Sequence, residues 1–430
     1  MMRFVSLLIF LIVMSSSAIS LTSSSSSSPS VQHSSESRKR CHDEIDDEID
    51  DEKEDDEEPT GTKKQNGKSK EVRVIVSTLT GLGASGMRNG GLDQSQFYYP
   101  RDVVHDMKNQ VSYVADDRNK VIRLINHITS HVSTFCNMKQ NTPIGGYNDG
   151  TIYCLFLVPE KYRSFFGHLL CGLSTSICSI SSDGKSKRVL AGSSIEGYLD
   201  GIGDHVLFST LNGMAMDSLG RLIISDTFNH CIRRLCIDEK SLESTIAGSP
   251  GQGRENHINP LLASFSYVRG VYVDTHDNIY IVDSDHGIRR MDNQTGAITT
   301  FVHDSIDGFT SILFAHEVNH FFAIYSNSVQ MISPAGKISH LAGTVSEDDM
   351  VPADGDGTIA RFHNPHGIAL EYVQHSTNWI HSLFSINPFK IWPPGLLLVV
   401  LDYLPQTVSL LICDPRNNSI RRIIVELPRA

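Results

Sequence analysis

At 430 residues, with 40% hydrophobic and 20% charged side chains, the chain has the composition of a globular protein, long enough for two or three ordinary domains or one large repeat domain. Its formal net charge is −12, and residues 72–430 alone carry 28 Lys and Arg against 34 Asp and Glu, a net of −6. A folded part with that balance argues against a nucleic-acid partner, because phosphate binding needs a basic surface.

The first twenty residues hold Arg3, the apolar run "FVSLLIFLIVM" and then "SSSAIS" with small residues at its end. That order is the layout of a cleavable secretory signal, and the run is too short to span a bilayer. Residues 21–71 are a serine tract, a basic "RKR", the acidic block "DEIDDEIDDEKEDDEE" and a lysine-bearing linker. Such a segment cannot bury a core and is expected to be a disordered arm. Past the signal remain eight cysteines, at 41, 136, 154, 171, 178, 231, 236 and 413. A secretory lumen permits disulfides, but connectivity does not follow from spacing, and no CxxC pair supports a zinc ribbon.

From residue 72 onward one phrase recurs: "SYVADDRNKVIRLI" from 112, "LIISDTFNHCIRRL" from 222, "IYIVDSDHGIRRM" from 279 and "LLICDPRNNSIRRI" from 410. Upstream of it stands an aromatic residue and, three positions on, usually Pro: Phe97 and Pro100, Phe156 and Pro159, Phe208 and Leu211, Phe265 and Val268, Phe362 and Pro365. The third positions lie 59, 52, 57 and 97 residues apart, so a degenerate copy is expected in the last interval, and "FFAIYSNSVQMISPAGKISHLAG" from 321 supplies it. Downstream of each Arg comes another short β run, as in "HVSTF", "STIAG" and "AITTF". Each copy thus reads as four short strands joined by polar turns, which is the pattern of a propeller blade. The C-terminal "IRRIIVELPRA" lacks its fourth strand, and "VIVSTLTG" at 74–81 is expected to supply it.

The sequence therefore resembles the NHL-repeat β-propellers over about residues 72–430, carried by "GYLDGIGDHVLFSTLNGMAMDSLGRLIISDTFNHCIRRL", "DGDGTIARFHNPHGIAL" and "CDPRNNSIRRI". The resemblance implies an all-β, six-bladed fold whose last blade is closed by an N-terminal strand. Blades two and five lack the Asp–Asn–Arg set. Blade six takes 49 residues from Pro365 to Asp414 where others take 15 or 16. The excess, an insertion near 372–408, holds Trp379 and Trp392 and reads either as a binding loop or as sequence foreign to the mature message. Its "LLLVVL" is too short for a membrane span.

The repeated residues carry a structural expectation. Asp116, Asp226, Asp283 and Asp414 precede turns in which a carboxylate can accept backbone N–H bonds, and Asn119, Asn229 and Asn417 suit left-handed or locally bonded positions. Arg123, Arg233, Arg289 and Arg421 follow on the next strand, placed to pair with an acid or a carbonyl. A catalytic set would not recur once per blade. The "DGIG" and "DGDG" stretches at 200–203 and 354–357 read as tight turns rather than calcium loops, since they lack the remaining oxygen ligands.

Ligands of propellers usually meet the channel mouth, so the residue just after each third position is the candidate binding set: Arg101, Glu160, Asn212, Arg269 and His366, with Asp307 a weaker choice for blade five. That composition suits a protein or peptide ligand, or an anionic small molecule, held by charge-assisted bonds. The main rival is a propeller enzyme. Amidating lyases similar to this fold hold zinc through histidines of several blades at this level, and here His366 is alone among these positions, so no metal, cofactor or catalytic residue is assigned. The RNA-reading NHL domains of tripartite-motif ubiquitin ligases need a basic surface and follow RING or B-box cysteines, which this sequence lacks. Of two sequons, Asn293 in "DNQTG" falls on a hairpin tip and is the expected glycosylation site, whereas Asn417 belongs to the repeat turn. The sequence thus reads as a binding scaffold, secreted or lumenal, without an integral span once the signal is removed.

Overall fold

The chain divides into two units, residues 1–67 and 68–430. The computed structural model describes residues 72–139, 150–236, 242–303, 308–316, 318–344, 351–371 and 406–427, all in the second unit. The signal, the arm to residue 71, Cys41, Asp307, Trp379 and Trp392 lie outside the described residues.

Six antiparallel sheets form, each with four principal strands that step outward in chain order, except that the N-terminal strand is outermost in blade six. Blade one runs Pro100–Asp106, Val111–Asp116, Val121–Asn126 and His131–Asn137. The innermost strands of the others are Cys154–Leu157, Leu211–Met216, Val268–Val273, Phe309–Ala315 and Ile368–Glu371. These six contact one another in sequence order, and the last returns to the first, so the sheets close a ring. The fold is an all-β, six-bladed propeller. Among the described residues, no helix is long and apolar enough to cross a membrane.

The strand composition follows from this stacking. Second strands such as Leu222–Asp226 and Ile279–Asp283 are buried at every position, because a neighbouring blade covers each face. Such strands read as continuous apolar runs instead of alternating ones. The outer Arg73–Thr80 alternates, with Val74 and Val76 inside and Arg73 and Ile75 outside. That N-terminal strand pairs antiparallel with the C-terminal Ser419–Leu427, Val74 opposite Val425 and Val76 opposite Ile423, so both ends of the ring share blade six.

The repeated motif is a buried polar clamp. In blade three, Asp226 accepts from Ser209 N at 2.8 Å, Asn229 Nδ2 at 2.8 Å and Arg233 Nη1 at 2.7 Å. Arg233 also reaches Leu199 O and Asp200 Oδ1 in the incoming loop and lies over the Phe208 ring, 5.2 Å from its centroid. The same set recurs with Asp116, Asn119 and Arg123, and with Asp414, Asn417 and Arg421. Burial pushes the Asp226 carboxyl up to about 6, and the bonds from Asn229, Ser209 and Arg233 keep it ionised at neutral pH. The Asp of "DGIG" and of "DGDG", Asp200 and Asp354, therefore serve as acceptors for Arg233 and Arg421.

Of the two places expected for the Asn residues the structure shows the locally bonded one: they bond back to their Asp, and the left-handed place falls to the next residue, Lys120, His230 or Asn418, with φ of 56°, 55° or 49°. In blade four the turn is one residue shorter, Gly287 takes the left-handed place at φ 95°, and Arg289 Nη1 lies 3.3 Å from Asp283 without an Asn between them. The insertion in blade six also ends earlier than 408, because Gln406–Asp414 is the second strand, and Glu371 pairs with Ser409 across from it.

Strand register shows what replaces the clamp in blades two and five. In all six blades the outer strand bulges opposite the same junction, namely Ile122/Arg123, Ile177/Cys178, Ile232/Arg233, Ile288/Arg289, Val329/Gln330 and Ile420/Arg421. Cys178 and Gln330 thus occupy the Arg position, while Leu173 and Tyr325 occupy the Asp position. Acid and base are lost together, as expected where either charge alone would be buried without a partner.

Candidate functional site

Each inner strand begins at the same end of the ring, and a residue at or just before that start faces the channel. A cavity of about 170 Å³ opens there, and each blade contributes one of Arg101, Tyr153, Asn212, Arg269, Thr310 and His366 to its lining, beside residues further along the inner strands such as Val103, Leu155 and Met214. The structure thus brings together four of the five residues named from sequence. Glu160 is the exception. It follows the end of blade two's inner strand, is exposed, and bonds Lys108 Nζ at 2.9 Å beyond the far end of blade one's inner strand.

The error in blade two has a local cause. Phe156 lies inside the inner strand and Pro159 begins a 3-10 turn after it, so "FLVP" imitates the repeat signature at the wrong end of the strand. Pairing of Cys154 with Gly172 puts Tyr153 where Asn212 stands in blade three. In blade five Phe309 pairs with Tyr325, which makes Thr310 the channel residue in place of Asp307. A signal for both was available in the third strands: "SIC" at 176–178 and "SVQ" at 328–330 align with "CIR" at 231–233 and "SIR" at 419–421.

Charge in the mouth is positive and sparsely compensated. Arg101 stacks on Tyr153, its guanidinium 4.4 Å from the ring centroid, and makes a long bond of 3.4 Å to Asn212 Oδ1. Its ion pair with Asp117 is 4.0 Å. The Arg269 side chain makes no hydrogen bond or ion pair with any described residue, and burial, then the like charge of Arg101, lower its pKa. Thr310 Oγ1 is likewise buried without a partner. His366 is driven down to about 3 by burial and by Arg101, Arg269 and Arg416, so it is a neutral imidazole at ordinary pH. Asp102, one residue past Arg101, is pushed up to about 7 by burial, although its oxygens accept from Leu155 N and Val103 N at 2.7 and 2.9 Å.

The turns that hold the clamps also build the rim. Tyr98 and Phe228 are 45% and 56% exposed, which is high for large apolar rings, and Phe228 meets Tyr267 edge to face at 6.0 Å. Arg118 lies over Tyr99, and Arg416 bonds His363 at 3.2 Å. Aromatic and Arg side chains are the usual anchors of protein interfaces. Among the described residues, no group of three or more His, Cys, Asp or Glu converges in a way that could hold a metal ion. The seven described cysteines are all free. Asn293 is exposed in the hairpin between Gly287–Met291 and Ile298–His303, whereas Asn417 is buried and bonded to Asp414.

No protein-family model matches the chain, and no curated protein matches it. Solved structures do. An auxiliary nutrient binding protein from Bacteroides thetaiotaomicron aligns with a TM-score of 0.54 at 15% identity, over 83% of this chain and 77% of that one. Its counterpart from Bacteroides ovatus gives 0.54 at 13%, over 83% and 78%. Virginiamycin B lyase from Staphylococcus aureus is more distant, at 0.46 and 11%, over 82% and 99%. At these identities the likeness is one of fold.

Proposed function

We propose that this chain is a non-catalytic binding scaffold of the NHL-repeat kind, acting in the secretory pathway or outside the cell, which holds a protein or peptide across the rim and mouth of its propeller. The observation that carries this reading is the pairing of an exposed aromatic and basic rim, Tyr98, Phe228 and Arg416, with a mouth in which the Arg269 side chain and the Thr310 hydroxyl lack partners among the described residues. The apolar run at 4–14 followed by small residues supports entry into the secretory path.

The rival reading, a propeller enzyme of the amidating-lyase or hydrolase kind, has Asp102 in its favour, a carboxyl held near neutrality beside two arginines and a histidine. Against it, both oxygens of Asp102 accept from backbone N–H groups, and the neighbouring Cys154 thiol donates to Leu211 O and is pushed well up in pKa by burial, so it is not a ready nucleophile. Fold neighbours described as nutrient-binding proteins and as a lyase leave both kinds of work open to this architecture.

The test is capture by the full chain from secreted and lumenal fractions, with a Tyr98→Ala/Phe228→Ala/Arg416→Ala variant alongside. A protein or peptide retained by the first and lost by the second is the expected result. One zinc per chain that disappears on changing His366 to Ala would overturn it in favour of the enzyme.

A further inference from the structure

Five arginines of this propeller are enclosed between or within blades, and four are anchored through the Nη groups of their guanidinium. Arg123, Arg233, Arg289 and Arg421 each hold an Asp carboxylate and further oxygen or amide acceptors. A buried guanidinium is stable only with such partners. Arg269 is the exception: it points into the channel mouth, its Nε is buried, and none of its donors meets a described acceptor. Arg101, loosely tied to Asn212 and Asp117, adds a second positive charge that repels the first. Two cations facing one another in an enclosed space form a site missing its anion.

We propose that the mouth holds a carboxylate of the ligand, gripped between the guanidinium groups of Arg101 and Arg269 with the Thr310 hydroxyl as a further donor. This rests on the reading of the mouth as the ligand site and names what enters it. Planar guanidinium groups match a carboxylate with two parallel N–H bonds. His366 is uncharged and adds no third cation, while Asp102 in the wall carries part of a negative charge near neutral pH, so the net field fits a monoanion better than a phosphate dianion. Size gives the same answer. About 170 Å³ is close to the engineered cavities of ~150 Å³ that admit one benzene, room for roughly six non-hydrogen atoms. An Asp or Glu side chain, the last residue of a peptide, or a small free acid fits; a nucleotide does not.

The experiment uses the full chain with arginine side chains isotopically labelled, titrated at a constant ionic strength of about 0.15 M. The probes are acetate, N-acetylglutamate diamide lacking any acid as a blank, N-acetylglutamate α-amide for a side-chain carboxylate, N-acetylalanine for a terminal one, and inorganic phosphate. A saturable shift of the Arg269 and Arg101 Nε–H signals by the carboxylate probes is expected, with the affinity read at Arg101 falling about ten-fold or more in Arg269→Gln and unchanged in Arg290→Gln. The stronger of the two amino-acid probes identifies the source. No saturation in the wild-type chain, equal affinity in Arg269→Gln, or tighter binding of phosphate would overturn the proposal. The wild-type titration decides even if the variant fails to fold. A partner captured through the rim without any carboxylate response would overturn this inference and leave the scaffold reading standing. Carboxylate binding without a protein or peptide partner would do the reverse.

Discussion

Arg233 Nη1 stands 2.7 Å from Asp226 Oδ2 with neither side chain exposed to solvent, and the same contact recurs in three further blades. Removing one member leaves a buried charge alone, which costs about 3–5 kcal/mol, whereas replacing both by apolar groups of fitting size is often near neutral. Blades two and five show the second outcome, with Leu173 and Cys178, or Tyr325 and Gln330, in the same two places. Asp226→Leu and Arg233→Met are each expected to destabilise the propeller severely, and the double variant much less than their sum. Equilibrium denaturation of the four proteins measures the coupling. Additive losses would show that the clamp is not held by mutual charge compensation.

Much of this was legible because a propeller writes its fold repeatedly. The Asp–Arg spacing, the four-strand period and the missing last strand all lie in local sequence, and the ring follows from them. The mouth residues of blades two and five did not follow, since without a clamp there is no anchor and the F-x-x-P at 156–159 drew the register toward the wrong end. What marks those blades is a backbone feature, the outer-strand bulge, whose trace in sequence is only the β-branched residue before Cys178 and Gln330. The lack of partners around Arg269 was not readable at all, because it depends on which side chains of six distant segments meet.

Glu371 ends the inner strand of blade six, where the insertion departs, and ties three groups from two blades: Arg422 Nε at 2.6 Å, Ser409 Oγ at 2.8 Å and His127 Nδ1 at 3.1 Å. Burial by itself would raise its pKa, but the bonds from His127, Arg422 and Ser409 and the charge of Arg422 bring it down to about 2. A depressed carboxylate contributes stability that is complete above the unfolded value of 4.5 and is lost as pH falls toward 2. The contribution is on the order of 3 kcal/mol. Glu371→Gln is expected to be less stable at pH 7 and to lose less on acidification from pH 5 to 2.5. Parallel acid-denaturation curves for the two proteins would rule this out.

Asp102 has the opposite sign. Its folded pKa of about 7 lies above the unfolded 3.8 because burial disfavours the charge more than the Leu155 and Val103 N–H groups and Arg101 favour it. Between those values the folded state binds more protons than the unfolded one, so this group lowers stability as pH rises from about 4 to about 7. Asp102→Asn keeps an acceptor and cannot ionise. The difference in melting temperature, variant minus wild type, is expected to move upward between pH 5 and pH 8. A difference that stays constant would mean that Asp102 is ionised throughout this range.

The closure of the ring rests on Arg73–Thr80. Val76, 1% exposed, lies opposite Ile423, and Val74, 7% exposed, lies opposite Val425. Thr78 N also donates to Asp354, the residue that receives Arg421, so the N-terminal strand supports the last clamp as well. Residues 21–70 are too polar and acidic to contribute a core, so deleting them is expected to leave the melting temperature nearly unchanged. Deleting 21–82 instead removes a run of strand hydrogen bonds at about 1 kcal/mol each and the burial of two valines, and it exposes the edge of Ser419–Leu427. Those losses together rival the ~5–15 kcal/mol total stability of a typical domain, so the second truncation is expected to aggregate. A synthetic peptide of residues 72–82 should restore solubility when added during refolding, because it recreates the missing fourth strand. Equal melting temperatures for the two truncations would show that the last blade holds together without it.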